Sequence, residues 1–320
     1  MECVGYEMKH LFVINPKAGK TDHTGELSRR IERLMAQRKE PYRIAVTEYP
    51  EHATQIVKRA VESGESWRIY ACGGDGTLNE VVNGAAGAEN AEITQYPCGT
   101  GNDFVKLFGR HLTRFFSLEE LVEGETMRFD LIECMGRHSI NICSAGFDAR
   151  IAGDVHKFSK LPGIRPYNAF TLSAAYNLFK GINRSYSVKI DGEDLSGTYS
   201  LLVAANSRYY GGGYNPVPDA DPTDGILDFL LVKKVSRFQV ARLIKKYSQG
   251  KFRELGDLVI YRRGTVMEVD CGDTPDEINI DGEVIKGRLM SFRLSDKSIR
   301  FFAPKGSFEE WEAKNSRKTV

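Results

Sequence analysis

The chain has 320 residues, of which 41% are hydrophobic and 27% charged, and its formal net charge is +1. That length allows two domains and a sizeable core, and the composition is that of a globular protein. The balanced charge gives no bulk attraction for nucleic acid, and no apolar run reaches the ~20 residues that span a bilayer. Residues 1–10 are too polar for a signal peptide. The six cysteines (3, 72, 98, 134, 143 and 271) lack paired spacing and read as reduced thiols, neither a disulfide framework nor a zinc site. These features predict a cytoplasmic protein, with a local basic face for anionic lipid left open.

His10-Leu11-Phe12-Val13-Ile14 has the composition of a buried strand and runs into Asn15-Pro16-Lys17-Ala18-Gly19-Lys20. Leu27, Ile31, Leu34 and Met35 then share one helical face, and 42–47 is the next strand. Ala53, Ile56, Val57, Ala60 and Val61 form a second helical face that Gly64 ends. Trp67-Arg68-Ile69-Tyr70-Ala71-Cys72 is a third strand. It leads into Gly73-Gly74-Asp75-Gly76-Thr77-Leu78-Asn79-Glu80, where Leu78, Val81 and Val82 predict a helix starting near Thr77. Residues 93–96 form another strand, followed by Pro97-Cys98-Gly99-Thr100-Gly101-Asn102-Asp103-Phe104. This alternation predicts a parallel sheet covered by helices, with ligands beyond the carboxyl ends of its strands.

The glycine-bearing turns at 15–20, 73–77 and 97–103 all fall at that edge. Glycine lets a backbone turn with positive φ and lets an anion approach closely. A helix N-terminus adds unpaired N–H donors and partial positive charge. Strand, glycine turn and helix start therefore predict a phosphate site. Asp75 by itself would repel a phosphate, and a metal between the two, most simply Mg²⁺, removes the conflict.

From residue 127 the pattern changes to short alternating and apolar runs at 128–134, 138–143, 185–190, 198–205, 226–232, 257–262, 265–270 and 289–303. Turn signals separate them, which predicts an antiparallel sandwich with one helical interlude at 167–180. The expected division is residues 1–124, 125–304 and a C-terminal helix at 305–320. In that helix Phe308 and Trp311 serve as anchors onto the first domain. The Asp-rich stretch 218–225 reads equally as a hard-cation site and as an Asp-Gly turn into a strand. Asp281-Gly282-Glu283 is a hairpin turn by default, and Asp191-Gly192-Glu193 repeats its letters. Segments 157–162 and 164–170 mix basic and apolar residues; an interfacial lipid contact and an ordinary core with a solvated rim both account for them.

Asn15 to Gly19, Gly73 to Glu80 and Pro97 to Asp103 together resemble the successive signatures of the diacylglycerol kinase catalytic domain. More closely, the chain is similar to the soluble bacterial lipid kinases of the diacylglycerol kinase B and YegS type. Gly146-Phe147-Asp148-Ala149, the 211–228 region and Asp281-Gly282-Glu283 follow in the expected order. The resemblance implies an α/β nucleotide-binding domain plus a larger antiparallel β-sandwich domain, with ATP between them. It implies that Asn15, Pro16, Lys17, Ala18, Gly19, Thr47, Gly74, Asp75, Gly76, Thr77, Leu78, Asn79, Glu80 and Thr100 bind ATP. Asp281 is then the general base and Glu283 its supporting carboxylate. Asp224, with the carbonyls of Asp221 and Ile226, holds a structural Mg²⁺. The reaction implied is phosphoryl transfer from ATP to a primary hydroxyl of a membrane lipid, with Asp75 holding the Mg²⁺ that offsets charge on the phosphates. Cys98 stands where the family has Leu, Ala or Met, which predicts sensitivity to alkylation.

Diacylglycerol is the first-choice acceptor; phosphatidylglycerol or a sphingoid base would use the same chemistry. A small-molecule kinase of the NAD kinase type shares the Gly-Gly-Asp-Gly-Thr turn but not the flanking motifs. A non-catalytic nucleotide-binding regulator has no need of Asp281 and Glu283. A dinucleotide-binding enzyme is disfavoured because Gly-x-Gly-x-x-Gly does not follow the first strand. Peripheral membrane association and a homodimer complete the family's expectation.

Overall fold

The computed structural model describes residues 8–159, 172–173, 176–309 and 311. The chain forms two compact units, Met1–Phe129 with Lys297–Val320, and Asp130–Asp296.

The first unit contains β1 (Lys9–Ile14), α1 (Thr24–Arg38), β2 (Tyr42–Val46), α2 (His52–Glu62), β3 (Trp67–Gly73), α3 (Asp75–Ala85) and β4 (Ala91–Pro97). The strands are parallel in the order β2-β1-β3-β4. Leu11, Phe12, Val13, Ile69, Tyr70 and Ala71 are fully buried, as strands covered on both faces require. The helices bury the predicted faces: Leu27, Ile31, Leu34 and Met35 on α1, and Ala53, Ile56, Val57 and Ala60 on α2. Ile14 pairs with both Val46 and Cys72, and Gly73 pairs with Pro97. The strand ends are thus level, which places the turns that follow β1, β3 and β4 side by side. α3 begins at Asp75, two residues before the expected start, because Gly74 is extended (φ −91, ψ −166) and the helix follows it directly.

After β4 come a 3-10 segment, Phe104–Phe116, and α4 (Leu118–Val122). Phe104, Phe108, Phe115, Phe129, Phe301, Phe308 and Trp311 form one aromatic cluster; Phe129 stacks on Phe301 at 5.5 Å, and Trp311 meets Phe108 at 5.4 Å. This cluster draws residues 125–129 and 297–304 into the first unit, so the compact units divide later and rejoin earlier than the expected 124/125 and 304/305. Phe308 and Trp311 are buried as the anchors of the tail; residues 310 and 312–320 lie outside the described residues.

The second unit is built from the part of β5 (Glu125–Cys134) after Phe129, β6 (Arg137–Ser139), β7 (Ile142–Gly146), α5 (Phe147–Ser159), β8 (Arg184–Ile190), β9 (Glu193–Asp194) and β10 (Gly197–Ala205). It continues with β11 (Leu227–Lys233), α6 (Arg237–Ser248), β12 (Val259–Gly264), β13 (Val266–Asp270), β14 (Asp276–Ile280), β15 (Glu283–Gly287) and the part of β16 (Leu289–Ala303) before Lys297. The ladders β15-β14-β7-β10-β11-β12 and β10-β8-β13-β16 are antiparallel. Leu202, Ala204, Phe229 and Leu231 face one core, while Leu201, Val203, Leu230 and Val232 face another. Both faces of β10 and β11 are therefore buried, which explains why their sequences run apolar without alternation. The expectation of a single helical interlude is corrected here: α5 and α6 also belong to this unit. A capping box from Ser236 to Gln239 opens α6. Of the expected interlude, 172–173 and 176–180 are helical, and 167–171 and 174–175 lie outside the described residues.

Candidate active site

The three glycine turns converge. A Cβ on Gly99 would stand 2.4 Å from the Cα of Gly74, one on Gly19 would stand 2.5 Å from the Cys98 carbonyl oxygen, and one on Gly101 would stand 2.7 Å from Asp75 Oδ2. Gly99 and Gly19 are required by the close approach of backbone, and Gly19 also by its φ of +81, whereas the atom nearest Gly101 is the end of the Asp75 side chain. Asn15 joins the first turn to the second by donating from Nδ2 to Thr77 Oγ1 (3.0 Å), and its Oδ1 accepts from Lys17 N–H (3.0 Å). Ala18 N–H returns to the Asn15 carbonyl (3.1 Å), while Pro16 lies between, half-buried. Asn102 closes the third turn, accepting from Gly99 N–H (3.1 Å) and donating to the Gly99 carbonyl (2.8 Å). Lys17, Gly19, Gly76 and Thr100 are exposed.

Asp75 Oδ1 accepts from the N–H of Asp103 (2.6 Å) and of Phe104 (3.4 Å), so the third turn fixes the carboxylate of the second. Lys106 meets Asp103 at 2.5 Å and offsets the neighbouring acid. The donor chemistry suits Mg²⁺: a half-buried, oriented carboxylate oxygen at the first turn of α3, beside an exposed glycine.

The remaining residues of the α3 motif hold the scaffold. Leu78 is core, and Thr77 and Asn79 are buried. The Glu80 carboxylate accepts from Glu51 N–H and Ala53 N–H, both at 3.0 Å, and so caps the start of α2. This cap is a role of Glu80 beside the ATP contact that the resemblance implied for it. Thr47 follows β2 and donates its N–H to the Ile14 carbonyl (2.8 Å), at the entrance of the first turn.

Within this unit a cleft of about 390 Å³ opens beside the third turn, lined by His23, Arg30, Tyr96, Gly99, Asn102 and Phe116. Arg30 donates to the Tyr96 hydroxyl (3.0 Å). Burial pushes the Cys98 thiol on its wall up to about 11. That shift lowers the thiolate fraction on which alkylation depends. Cys72, Cys98, Cys134, Cys143 and Cys271 are all free thiols.

In the second unit Asp281 and Gly282 both have positive φ, +49 and +96, in the two-residue turn joining β14 to β15. Asp281 Oδ1 accepts from Ser139 Oγ (2.6 Å) and Ile142 N–H (3.0 Å), and Oδ2 accepts from Ile140 N–H (2.9 Å). The Asp281 N–H donates to the Ile142 carbonyl (3.2 Å). Asn279 steadies the turn by accepting from Gly282 N–H (2.8 Å). Glu283 is exposed and has no ion pair with any described residue.

Asp221, Asp224 and Ile226 are brought together before β11, but the geometry is that of a turn. Asp221 Oδ1 accepts from Thr223 N–H (3.1 Å) and Thr223 Oγ1 (2.7 Å). Asp224 pairs with the Arg263 guanidinium, which also lies 3.4 Å from Asp228. Nearby, burial raises Asp130 above the usual carboxylate range, and Asp224 and Asp221 add to the rise. Among the described residues no group of three or more His, Cys, Asp or Glu side chains could hold a metal. The set that the resemblance implies for a structural Mg²⁺ uses one carboxylate and two carbonyls, and the Arg263 guanidinium stands beside that carboxylate.

Sequence reasoning missed several participants. Lys106 carried a signal, its i,i+3 spacing from Asp103. Arg30, Ser139 and Asn279 carried none, because tertiary register alone brings them to their partners. Of the lipid-contact segments proposed at 157–162 and 164–170, residues 157–159 end α5 and the rest lie outside the described residues.

Residues 9–134 match the diacylglycerol kinase catalytic domain, and residues 141–301 match the YegS C-terminal NAD kinase beta sandwich-like domain. A Staphylococcus epidermidis protein named diacylglycerol kinase is 27% identical over 303 residues, covering 93% of each chain. A Pseudomonas aeruginosa protein named "Probable lipid kinase YegS-like" is 29% identical over 263 residues, 80% of this chain and 82% of its own. A crystal structure of a diacylglycerol kinase from Bacillus anthracis shares the fold, with a TM-score of 0.66 at 19% identity over 93% of this chain and 97% of that one. With both domain matches in the order the turns and the sandwich require, the chain belongs to the diacylglycerol kinase/YegS family of lipid kinases.

Proposed function

We propose that this protein transfers the γ-phosphoryl group of ATP to the primary hydroxyl of diacylglycerol, giving phosphatidic acid. The observation that carries the reading is the convergence of the three glycine turns around Asp75. The turns at 15–19, 74–77 and 99–101 bind the triphosphate through backbone N–H groups such as those of Gly19, Gly76 and Thr100, and the start of α3 adds its partial charge. Asp75 would hold Mg²⁺, which when bound would supply positive charge to offset that of the phosphates. Asp281 takes the proton of the attacking hydroxyl, the new P–O bond forms, and the bond to ADP breaks. Glu283 supports that proton transfer from its exposed position. Diacylglycerol is favoured because the Staphylococcus epidermidis relative carries that name. Phosphatidylglycerol and sphingoid bases are the next acceptors to try. The same reading places the enzyme at the inner face of the membrane as a peripheral protein and allows a homodimer, which sedimentation would measure.

The test is transfer of labelled γ-phosphate into mixed micelles of diacylglycerol, run beside a total bacterial lipid extract. Product from diacylglycerol supports the full reading. Product from the extract alone keeps the lipid kinase and discards diacylglycerol. Phosphorylation of NAD without any lipid product discards both.

A further inference from the structure

The donors that reach the Asp281 carboxylate from Ser139, Ile140 and Ile142 all lie in one short stretch, between the end of β6 and the start of β7. Two of them are backbone N–H groups, of Ile140 and Ile142, which any residue but proline would supply. The other is the Ser139 hydroxyl, the member of this cradle that depends on a side chain. Its bond to Oδ1 is also the shortest, 2.6 Å against 2.9 Å and 3.0 Å, as expected for a hydroxyl donating to a carboxylate.

The hydroxyl has little freedom. Its oxygen accepts from Asn141 N–H (3.2 Å), which leaves its own hydrogen for Asp281. Ser139 pairs with Ile132 across β5 and β6 and is fully buried, so it is not placed to touch a substrate. The turn itself is held without it. The Asp281 N–H donates to the Ile142 carbonyl (3.2 Å), and Asn279 accepts from Gly282 N–H (2.8 Å). Removing the hydroxyl therefore leaves the backbone of the turn in place and acts on the carboxylate. It withdraws a charge-assisted bond from a buried side of Oδ1, where water does not readily replace it.

We propose that Ser139 is a positioning residue for phosphoryl transfer, its hydroxyl fixing the orientation in which the Asp281 carboxylate meets the acceptor alcohol. In the step it serves, the alcohol O–H bond breaks and its proton passes to Asp281. The alcohol oxygen bonds to the γ-phosphorus, and the bond from that phosphorus to ADP breaks. Ser139 keeps its own proton throughout. The role rests on the lipid-kinase reading and adds to it a residue that acts only through another. Asp191 supplies a control within the same unit, since Thr265 Oγ1 donates to Asp191 Oδ1 at 2.9 Å in the same manner.

The experiment measures kcat and KM of the full-length protein in the micellar transfer assay, with the lipid that the wild type phosphorylates. Ser139→Ala should lower kcat about tenfold and leave KM for ATP and for lipid within about twofold, because the bond matters in the chemical step and not in binding. In an Asp281→Asn background the same substitution should change kcat by less than about twofold, since the group through which it acts is already lost. Thr265→Val should leave kcat within about twofold of the wild type. If Ser139→Ala does not fold, Ser139→Cys, which nearly keeps the volume and weakens the donor, takes its place with an expected loss of about threefold or more. A kcat within twofold of the wild type for the folded Ser139 variant overturns the role. So do losses that multiply in the double variant, because Ser139 would then act independently of Asp281. An equal loss from Thr265→Val also overturns it, as a general loosening of the sheet. Each of these leaves the lipid-kinase reading standing, whereas a wild type that phosphorylates no lipid overturns that reading and this role with it.

Discussion

The second unit contains the same three letters twice, Asp191-Gly192-Glu193 and Asp281-Gly282-Glu283, and the two turns are close structural copies. Asp191 has φ +47 and Gly192 φ +86, against +49 and +96 at the other turn. The Asp191 carboxylate accepts from Thr265 N–H, Thr265 Oγ1 and Val266 N–H at 2.9 to 3.2 Å, and its N–H donates to the Val266 carbonyl at 3.1 Å. Asp281 makes the matching set to Ser139, Ile140 and Ile142. In both places an aspartate clamps the edge of a neighbouring segment. The hydrogen bonds of the aspartate therefore do not mark a base. What differs is the surroundings: Glu193 is held by Arg262 in two bonds of 2.8 Å, whereas Glu283 has no such partner among the described residues. Asp281 also backs onto an apolar cavity of about 320 Å³ through Asn279, and Asp191 is exposed.

The comparison breaks or holds first on the aspartates. Asp281→Asn should lower lipid phosphorylation by ~10²–10⁴-fold with ATP affinity kept, as loss of a general base does. Asp191→Asn should leave turnover within about twofold. Both should lose similar stability, about 1–2 kcal/mol, because both clamps weaken. Equal loss of activity in the two variants would end the distinction.

The next effect concerns the cavity that only the Asp281 turn borders. Burial raises the Asp148 carboxyl from its ordinary 3.8 to about 6. Its neutral form is favoured in the folded state, so its contribution is fully present below pH 3.8 and is lost as pH rises through about 6. That is at most about 3 kcal/mol. Asp148→Asn should flatten the dependence of stability on pH across that window, read by denaturant melts at several pH values. A wild-type curve that is already flat there would show that the carboxyl is hydrated.

A smaller change is expected at the glutamates. Glu283→Gln should reduce kcat about tenfold without shifting the melting temperature. Glu193→Gln should change neither measurably, since an exposed ion pair contributes little. The smallest effect tests a third Asp-Gly turn, Asp224-Gly225. Because Arg263 already meets Asp224, chelation of divalent ions should move the melting temperature by less than about 2 °C. A large drop on chelation would mean that a metal displaces the guanidinium.

Much of this molecule was legible in its sequence. The helical faces of α1 and α2 were readable because burial imposes a 3.6-residue period that survives in single residues. The glycine turns were readable because close backbone approach excludes every side chain, and the result is a run of unmistakable letters. α5 and α6 were missed although Ser236 and Gln239 spell a capping box, since the strand runs on either side dominated the pattern. The cap that Glu80 places on α2 was not readable at all. It depends on how α3 lies against α2, and no spacing within either helix records that. The pairing of Asp224 with Arg263 is hidden for the same reason, because it follows from β11 and β12 being neighbours.

The contact between Gly74 and Gly99 has one more consequence. The turns it joins belong to segments more than twenty positions apart in the chain, and neither makes the site alone. A partly folded chain in which β4 has not yet docked therefore has no triphosphate site to offer. Nucleotide should bind only the completed sheet, so it acts on the folded population and not on its precursors. At a free concentration of about a hundred times its Kd, that selectivity amounts to ~2.7 kcal/mol. In a cell rich in ATP, the substrate would also serve as a guard against unfolding and proteolysis of the sheet that binds it.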